Sequence, residues 1–337
     1  MTLPTRRLGS TDLELTTVGF GSWSTGGGDW AFALGSQDDD DSVAAIRHAL
    51  EQGVNWIDTA PVYGLGHAEV VVGEAIRDIP EGERPIISTK CGLTWDDNDR
   101  NAFPARILSR DAIRRECDAS LQRLGVERID LYQFHWPAED GTPVEESWAA
   151  MLELVQEGKV RVPGVSNFDV GMLEACEGIG HVGSLQPPFS MIDRGVAAAE
   201  LPWCASHDTG AIVYSPMQSG LLSGRFTAER AAALASDDIR AHTPPFQEPQ
   251  LSANLALVEA LRPIAARHEV SVAAVSIAWT TSWPGVTAAI VGARSPEQVD
   301  GWLAAASLDL TTEDLADITA AIEATGAGTG PVTPVSA

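Results

Sequence analysis

Eight short apolar runs with strand character alternate with helical stretches along this chain. That alternation predicts an α/β protein whose parallel strands close into a (β/α)8 TIM barrel, with an N-terminal β-hairpin and extra C-terminal helices. A second observation argues against an open, doubly wound sheet: the early glycine-rich segment FGSWSTGGG lacks the G-x-G-x-x-G spacing of a dinucleotide-binding turn. A third marks one end of the barrel. Asp58, Tyr63, Lys90 and His135 each fall at or just past the end of a strand-like run, where α/β folds carry their chemistry.

Taken in order, RRLGSTDLELT alternates apolar and polar residues about a Gly-Ser turn and reads as the hairpin. TVGFG is the first strand. DDSVAAIRHALEQG follows as an amphipathic helix, with acids in its first turn and glycine at its end. The acid run Asp38 to Asp41 is therefore read as compensation of the helix dipole. Next come VNWIDTA and AEVVVGEAIR, RPIISTK and SRDAIRRECDASLQRLG, IDLYQFH and VEESWAAMLELVQEG, then VRVPGVSN and VGMLEACEG. HVGSLQ with AAAELPWCASHD, GAIVYSP with LSANLALVEALRPIAARH, and VTAAIVG with SPEQVDGWLAAA complete eight units. The loop from Leu222 to Pro249 is long enough for a lid or a mobile insertion. The tail TGAGTGPVTPVSA is low in complexity and is expected to be poorly ordered, at least at its end.

With 337 residues, the chain suits one barrel domain spanning 1–337, with its core at about 17–322 and the tail at 325–337. A net charge of −25 opposes nucleic acid and anionic membranes as partners, because phosphate attraction has the wrong sign. No apolar run is long enough to span a bilayer, and MTLPTRRLGS is not followed by the apolar stretch of a secretory signal. Cys91, Cys117, Cys176 and Cys204 are widely spaced, with no C-x-x-C pairing. Free thiols in a reducing cytoplasm are expected, and no metal site.

An acid, a phenol, an amine and an imidazole gathered at strand ends make a proton-transfer centre. Lysine is scarce here, with only Lys90 and Lys159 present, so one at a strand end points to a need for an amine. Lys90 could stabilise the Tyr63 phenolate, Asp58 could keep Lys90 charged, and His135 could hydrogen-bond a substrate oxygen. Such a tyrosine can protonate a carbonyl oxygen as negative charge builds there. None of the four supplies hydride, so a cofactor must, and nicotinamide is the usual donor.

The segments GFGSW, NWIDTAPVYGLGHAE, IISTK, RIDLYQFHWP, GVSNF, VYSPMQSGLLSGRF and AAIVGARSPEQV, in that order from about Leu8 to Ala305, resemble the aldo-keto reductase family. The resemblance implies that Asp58, Tyr63, Lys90 and His135 are the catalytic tetrad, with Tyr63 the general acid. It also implies that Ser166, Asn167 and Gln186 hold the nicotinamide carboxamide and that Tyr214 stacks on its ring. Ser215, Met217, Gly220, Leu222 and Gly224 would follow the pyrophosphate, and Gly292, Arg294 and Gln298 would surround the adenosine. Gly21 and Trp23 join the cofactor set, and Trp23, Trp30, Trp95 and Trp136 are candidates for the substrate pocket. Arg294 beside the ribose favours NADPH over NADH, because a guanidinium suits a 2′-phosphate.

Three positions depart from the family pattern: Trp302 where an asparagine faces adenine, Pro163 in the strand before GVSNF, and Phe189 where tyrosine is common. The expected function is NADPH-dependent reduction of an aldehyde or ketone as small-molecule partner, with an oligomer possible. Two alternatives stand beside it: a barrel aldolase using Lys90 as a Schiff base, and a slow or non-catalytic cofactor-binding regulatory subunit.

Overall fold

The computed structural model describes residues 3–235 and 238–334. Its eight barrel strands are Val18–Gly21, Trp56–Asp58, Ile86–Cys91, Ile129–Phe134, Val160–Ser166, Ser184–Gln186, Gly210–Val213 and Val286–Gly292. All neighbours pair in parallel, and the eighth strand closes on the first through Ala289↔Val18 and Gly292↔Gly21. Helices between the strands bury their apolar stripes against the outside of the barrel. Asp38 caps the first of them, Asp39–Glu51, its side chain accepting from the Asp40 and Asp41 amides. The acid run is therefore a helix start.

The predicted hairpin pairs Thr5–Arg7 with Glu14–Thr16 and plugs the barrel. Leu8, Leu13 and Leu15 pack with Trp56, Leu131, Val162, Ile212, Ala288 and Ile290. The Trp56 indole donates to the Thr16 carbonyl at 2.9 Å. Gly19 makes room for that indole, since a Cβ there would lie 2.1 Å from the ring. Hairpin residues thus fill one end of the barrel, and the strand-end residues are left at the other.

The structure goes beyond the sequence reading in three places. The helix Val272–Ser282 between the seventh and eighth strands is absent from the sequence reading. Its residues from Val272 to Thr281 are all buried, so it lacks the amphipathic period that marks a surface helix. The Leu222–Pro249 segment is not a bare loop. It holds the short helix Ala228–Ala232 and is anchored by buried Phe226 and Phe246, whose rings meet edge-on at 5.1 Å. The tail is tied down as far as Pro331. Buried Arg194 donates to the carbonyls of Ala327 (3.2 Å), Gly330 (3.3 Å) and Pro331 (3.0 Å). Residues 335–337 lie outside the described residues.

Candidate active site

The four strand-end residues converge at the carboxyl end of the barrel. Asp58 ends the second strand, and Lys90 sits one residue before the end of the third. Tyr63 lies in the turn after Asp58. That turn packs against Trp23–Gly26 and needs glycine at 64, where φ is +63° and a Cβ would lie 2.1 Å from the Gly26 carbonyl. His135 follows the fourth strand directly, its N–H donating to the Cys91 carbonyl at 2.9 Å.

Lys90 is wholly buried and its ammonium is saturated. It donates to Asp58 Oδ2 at 2.6 Å, to the Thr59 carbonyl at 3.0 Å and to the Tyr63 hydroxyl at 3.4 Å. Asp58 Oδ1 accepts from Ser88 (3.0 Å) and from the Gln186 amide (2.8 Å). Beneath Ser88 the barrel interior is polar, with Gln133 donating to Ser88 Oγ at 3.4 Å and Ser184 donating to Gln133 at 3.3 Å. A buried ion pair is tolerated when its remaining valences are met, and here they are.

Burial lowers the Lys90 ammonium pKa, against the pull of Asp58. Burial also lowers the His135 imidazole well below its usual range, with Lys90 adding to the effect, so the ring is neutral and presents a hydrogen-bonding edge. The sequence argument expected Lys90 to bring the Tyr63 phenol down. The structure shows the reverse: burial first, then Asp58, raise it well above 10. Lys90 is already matched by Asp58, so the phenol sees little net positive charge. Tyr63 is thereby kept protonated, the form an acid needs. The His135 ring lies edge-on to Tyr63 at 5.7 Å.

Other nominated residues form a bonded rim around this centre. Asn167, at φ +61°, donates to the His135 carbonyl (2.9 Å) and to Ser166 Oγ (3.0 Å), and accepts from the Tyr214 hydroxyl (2.8 Å). Ser166 Oγ donates to the Gln186 carbonyl at 2.7 Å. The Gln186 amide is turned onto Asp58, a supporting role that the sequence did not suggest. Ser215, Gln218, Ser219, Gly220 and Gly224 all have positive φ, an irregular backbone of the sort that turns N–H groups outward; Met217 and Leu222 pack beneath it. Gly21 faces Gly292 across the closure, and a Cβ at Gly21 would meet Ile290 at 2.6 Å.

The Arg294 guanidinium donates to Gln37 Oε1 (2.6 Å) and to the carbonyls of Leu34 (3.3 Å) and Ser36, while Gln298 Oε1 accepts from the Arg294 N–H. Among the described residues it has no carboxylate partner, so its charge is unneutralised. Trp302 is buried in the core, its indole N–H without a partner among the described residues, and Phe189 stacks on Trp279 at 5.6 Å. Pro163 pairs in register with Tyr132.

Of the four tryptophans, Trp30 lies with its ring centroid 6.5 Å from that of Tyr63. Trp136 shares an apolar patch with Tyr63, Ala60, Val62 and Leu93, and carries the Arg106 guanidinium 4.5 Å above its ring. Trp23 bonds the Phe32 carbonyl, and Trp95 bonds Asp97. Sequence reasoning missed Phe32, edge-on to Trp30 at 6.0 Å, and exposed Phe103, 5.3 Å from Phe32. Both lie in loops, where periodicity gives no signal.

Glu116, on the helix Arg110–Leu124, was also unforeseen. Burial pushes its carboxyl up to about 7, against a hydrogen bond from the Gly92 amide at 2.9 Å. The folded protein therefore holds this proton more tightly than the unfolded chain does. Stability falls as pH rises from the ordinary carboxyl range to about 7, and the loss is complete above that. Glu116→Gln should remove roughly 2–3 kcal/mol of this penalty at pH 8 and little at pH 4. Thermal melts at the two pH values measure it; equal effects at both would contradict the burial argument.

Residues 17–323 match the aldo/keto reductase family. The chain is 35% identical over 321 residues to aldo-keto reductase YhdN of Bacillus subtilis (strain 168), covering 94% of this chain and 93% of that protein. It is 34% identical over 318 residues to the NADH-specific methylglyoxal reductase of Escherichia coli (strain K12), covering 91% and 94%. The solved structure of the glycerol dehydrogenase AKR11B4 from Gluconobacter oxydans superposes with a TM-score of 0.88 at 34% identity over 100% of both chains. The chain belongs to the aldo/keto reductase family. It is an oxidoreductase of carbonyl and CH–OH groups that uses a nicotinamide cofactor.

Proposed function

We propose that this chain reduces an aldehyde or ketone with NADPH, and that Tyr63 hands the proton to the carbonyl oxygen. The observation that carries the reading is the Lys90 ammonium, which touches both Asp58 (2.6 Å) and the Tyr63 hydroxyl (3.4 Å) in a buried setting. When bound, the nicotinamide supplies the hydride. Tyr63 holds its proton until charge builds on the carbonyl oxygen, and the Lys90 N–H aimed at its hydroxyl then donates to the oxygen left behind. Neutral His135 offers that oxygen a hydrogen bond, and Asp58 keeps Lys90 in place and charged. Trp30, Phe32 and Trp136 supply an apolar wall that favours a substrate with an apolar flank.

The residues present fit a dinucleotide. Asn167, Ser166 and Tyr214 would hold the nicotinamide end, and the positive-φ segment 215–224 would take the pyrophosphate. Arg294 would take the 2′-phosphate, because among the described residues its guanidinium bonds only neutral oxygens, in a chain of net charge −25. The aldolase alternative is disfavoured: a fully buried amine already donating to three acceptors has no free lone pair for a substrate carbonyl.

Titration with NADPH and NADH, followed by tryptophan fluorescence, tests the cofactor. NADPH should bind more tightly, and Arg294→Ala should weaken NADPH roughly ten- to hundredfold while leaving NADH nearly unchanged. Equal losses for both would discard the 2′-phosphate role, and a preference for NADH would match the E. coli relative instead.

A further inference from the structure

Lys90 lies on the third strand and His135 just past the end of the fourth, and a single peptide unit joins their surroundings. Lys90 runs directly into Cys91 and Gly92. The Cys91 carbonyl accepts from the His135 N–H at 2.9 Å. On the opposite edge of the same planar unit, the Gly92 N–H donates to Glu116 Oε2 at 2.9 Å. The Gly92 carbonyl in turn accepts from the Ile107 N–H at 3.1 Å. Gly92 has φ +93°, and a Cβ there would lie 2.4 Å from the Leu108 side chain, so the turn has one tightly defined shape.

Glu116 is therefore bonded to the Cys91–Gly92 peptide, one residue past Lys90, whose carbonyl receives the His135 N–H. Its other oxygen, Oε1, is buried with no hydrogen-bond partner among the described residues. A buried carboxylate with an unmet oxygen is a poor stability device. An ionised carboxylate does, however, make a stronger bond to a peptide N–H than a neutral acceptor does, and bonds in series polarise one another. Several charged and titratable groups face it. Arg115 lies on its own helix, Arg123 farther along that helix, and Glu69 on the helix His67–Ile76. Cys91 and Tyr132 face it from the third and fourth strands.

We propose that Glu116 is a positioning residue, whose ionised carboxylate orients the Cys91–Gly92 peptide and so sets Lys90 and His135 about Tyr63. The proposal rests on the proton-transfer reading of Tyr63, Lys90 and His135. Glu116 touches none of the reacting atoms and acts through the backbone alone. In Glu116→Gln the acceptor remains without its charge; in Glu116→Met both are gone.

The test follows the pH dependence of kcat and KM from pH 5.5 to 9 for the wild type, both variants and Tyr63→Phe. Amide proton shifts of Gly92 and His135 are followed by NMR in the cofactor-free wild type and Glu116→Gln. Wild-type kcat should rise through an inflection near pH 7, and both amides should titrate with that midpoint. Glu116→Gln should lose the inflection and the amide titration, and fall about fivefold in kcat at pH 8 with KM and cofactor affinity held. Glu116→Met should fall further; if it does not fold, the Gln data decide. Superimposed profiles for the wild type and Glu116→Gln, with no titration at either amide, overturn the proposal. That result alongside an inactive Tyr63→Phe removes Glu116 only. A Tyr63→Phe that turns over normally removes the tetrad reading, and this proposal with it.

Discussion

Tyr63→Phe is expected to bind cofactor as tightly as the wild type and to lose roughly a hundred- to ten-thousand-fold in kcat for carbonyl reduction. The substitution keeps the ring, and with it the contacts to Trp30 at 6.5 Å and His135 at 5.7 Å. Lys90 gives up only its longest bond, 3.4 Å, and keeps Asp58 and the Thr59 carbonyl. Folding stability should therefore hardly change. Burial and Asp58 hold the phenol well above its ordinary value near 10. In the wild type, no alkaline fall in reduction below pH 10 should trace to Tyr63. Steady-state kinetics from pH 6 to 10, together with a fluorescence titration of cofactor, read both statements. Turnover near the wild-type rate would mean that another group gives the proton.

Lys90→Met should abolish measurable reduction and also weaken the fold by roughly 3–5 kcal/mol. The second effect separates Lys90 from Tyr63. Asp58 is buried, and removing its partner leaves a carboxylate with Ser88 and Gln186 as donors but no counter-charge. Asp58→Asn in the same background should restore most of the stability, since a neutral amide needs no ion partner, and restore no activity. A double-mutant cycle by denaturant unfolding gives the coupling between the two sites. If Lys90→Met were as stable as the wild type, the pair would contribute little to the fold, and the polar barrel interior beneath it would need another explanation.

The barrel was legible because each of its strands is a short apolar run bounded by turn residues. Such a pattern survives in one dimension, as does the helical period of stretches such as Asp39–Glu51. Asp58, Lys90 and His135 stood out because they end such runs. The helix Val272–Ser282 was illegible for the opposite reason: a helix buried on nearly all sides carries no period. Arg194 carries no signal in the sequence, because the three tail carbonyls that it bonds come around it only in the fold.

By itself the sequence determined the eight-unit alternation and the strand-end placement of the acid, amine and imidazole, which follow from local composition and spacing; the family came from the resemblance of its motifs. The tertiary structure alone decided how those groups behave. It turned Gln186 toward Asp58, matched Lys90 to Asp58, buried the Tyr63 phenol beside Asp58 so that it is raised rather than lowered, and hung His135 from the peptide that Glu116 holds. Desolvation and charge pairing depend on distances between residues far apart in the chain, and only closure of the barrel sets those distances.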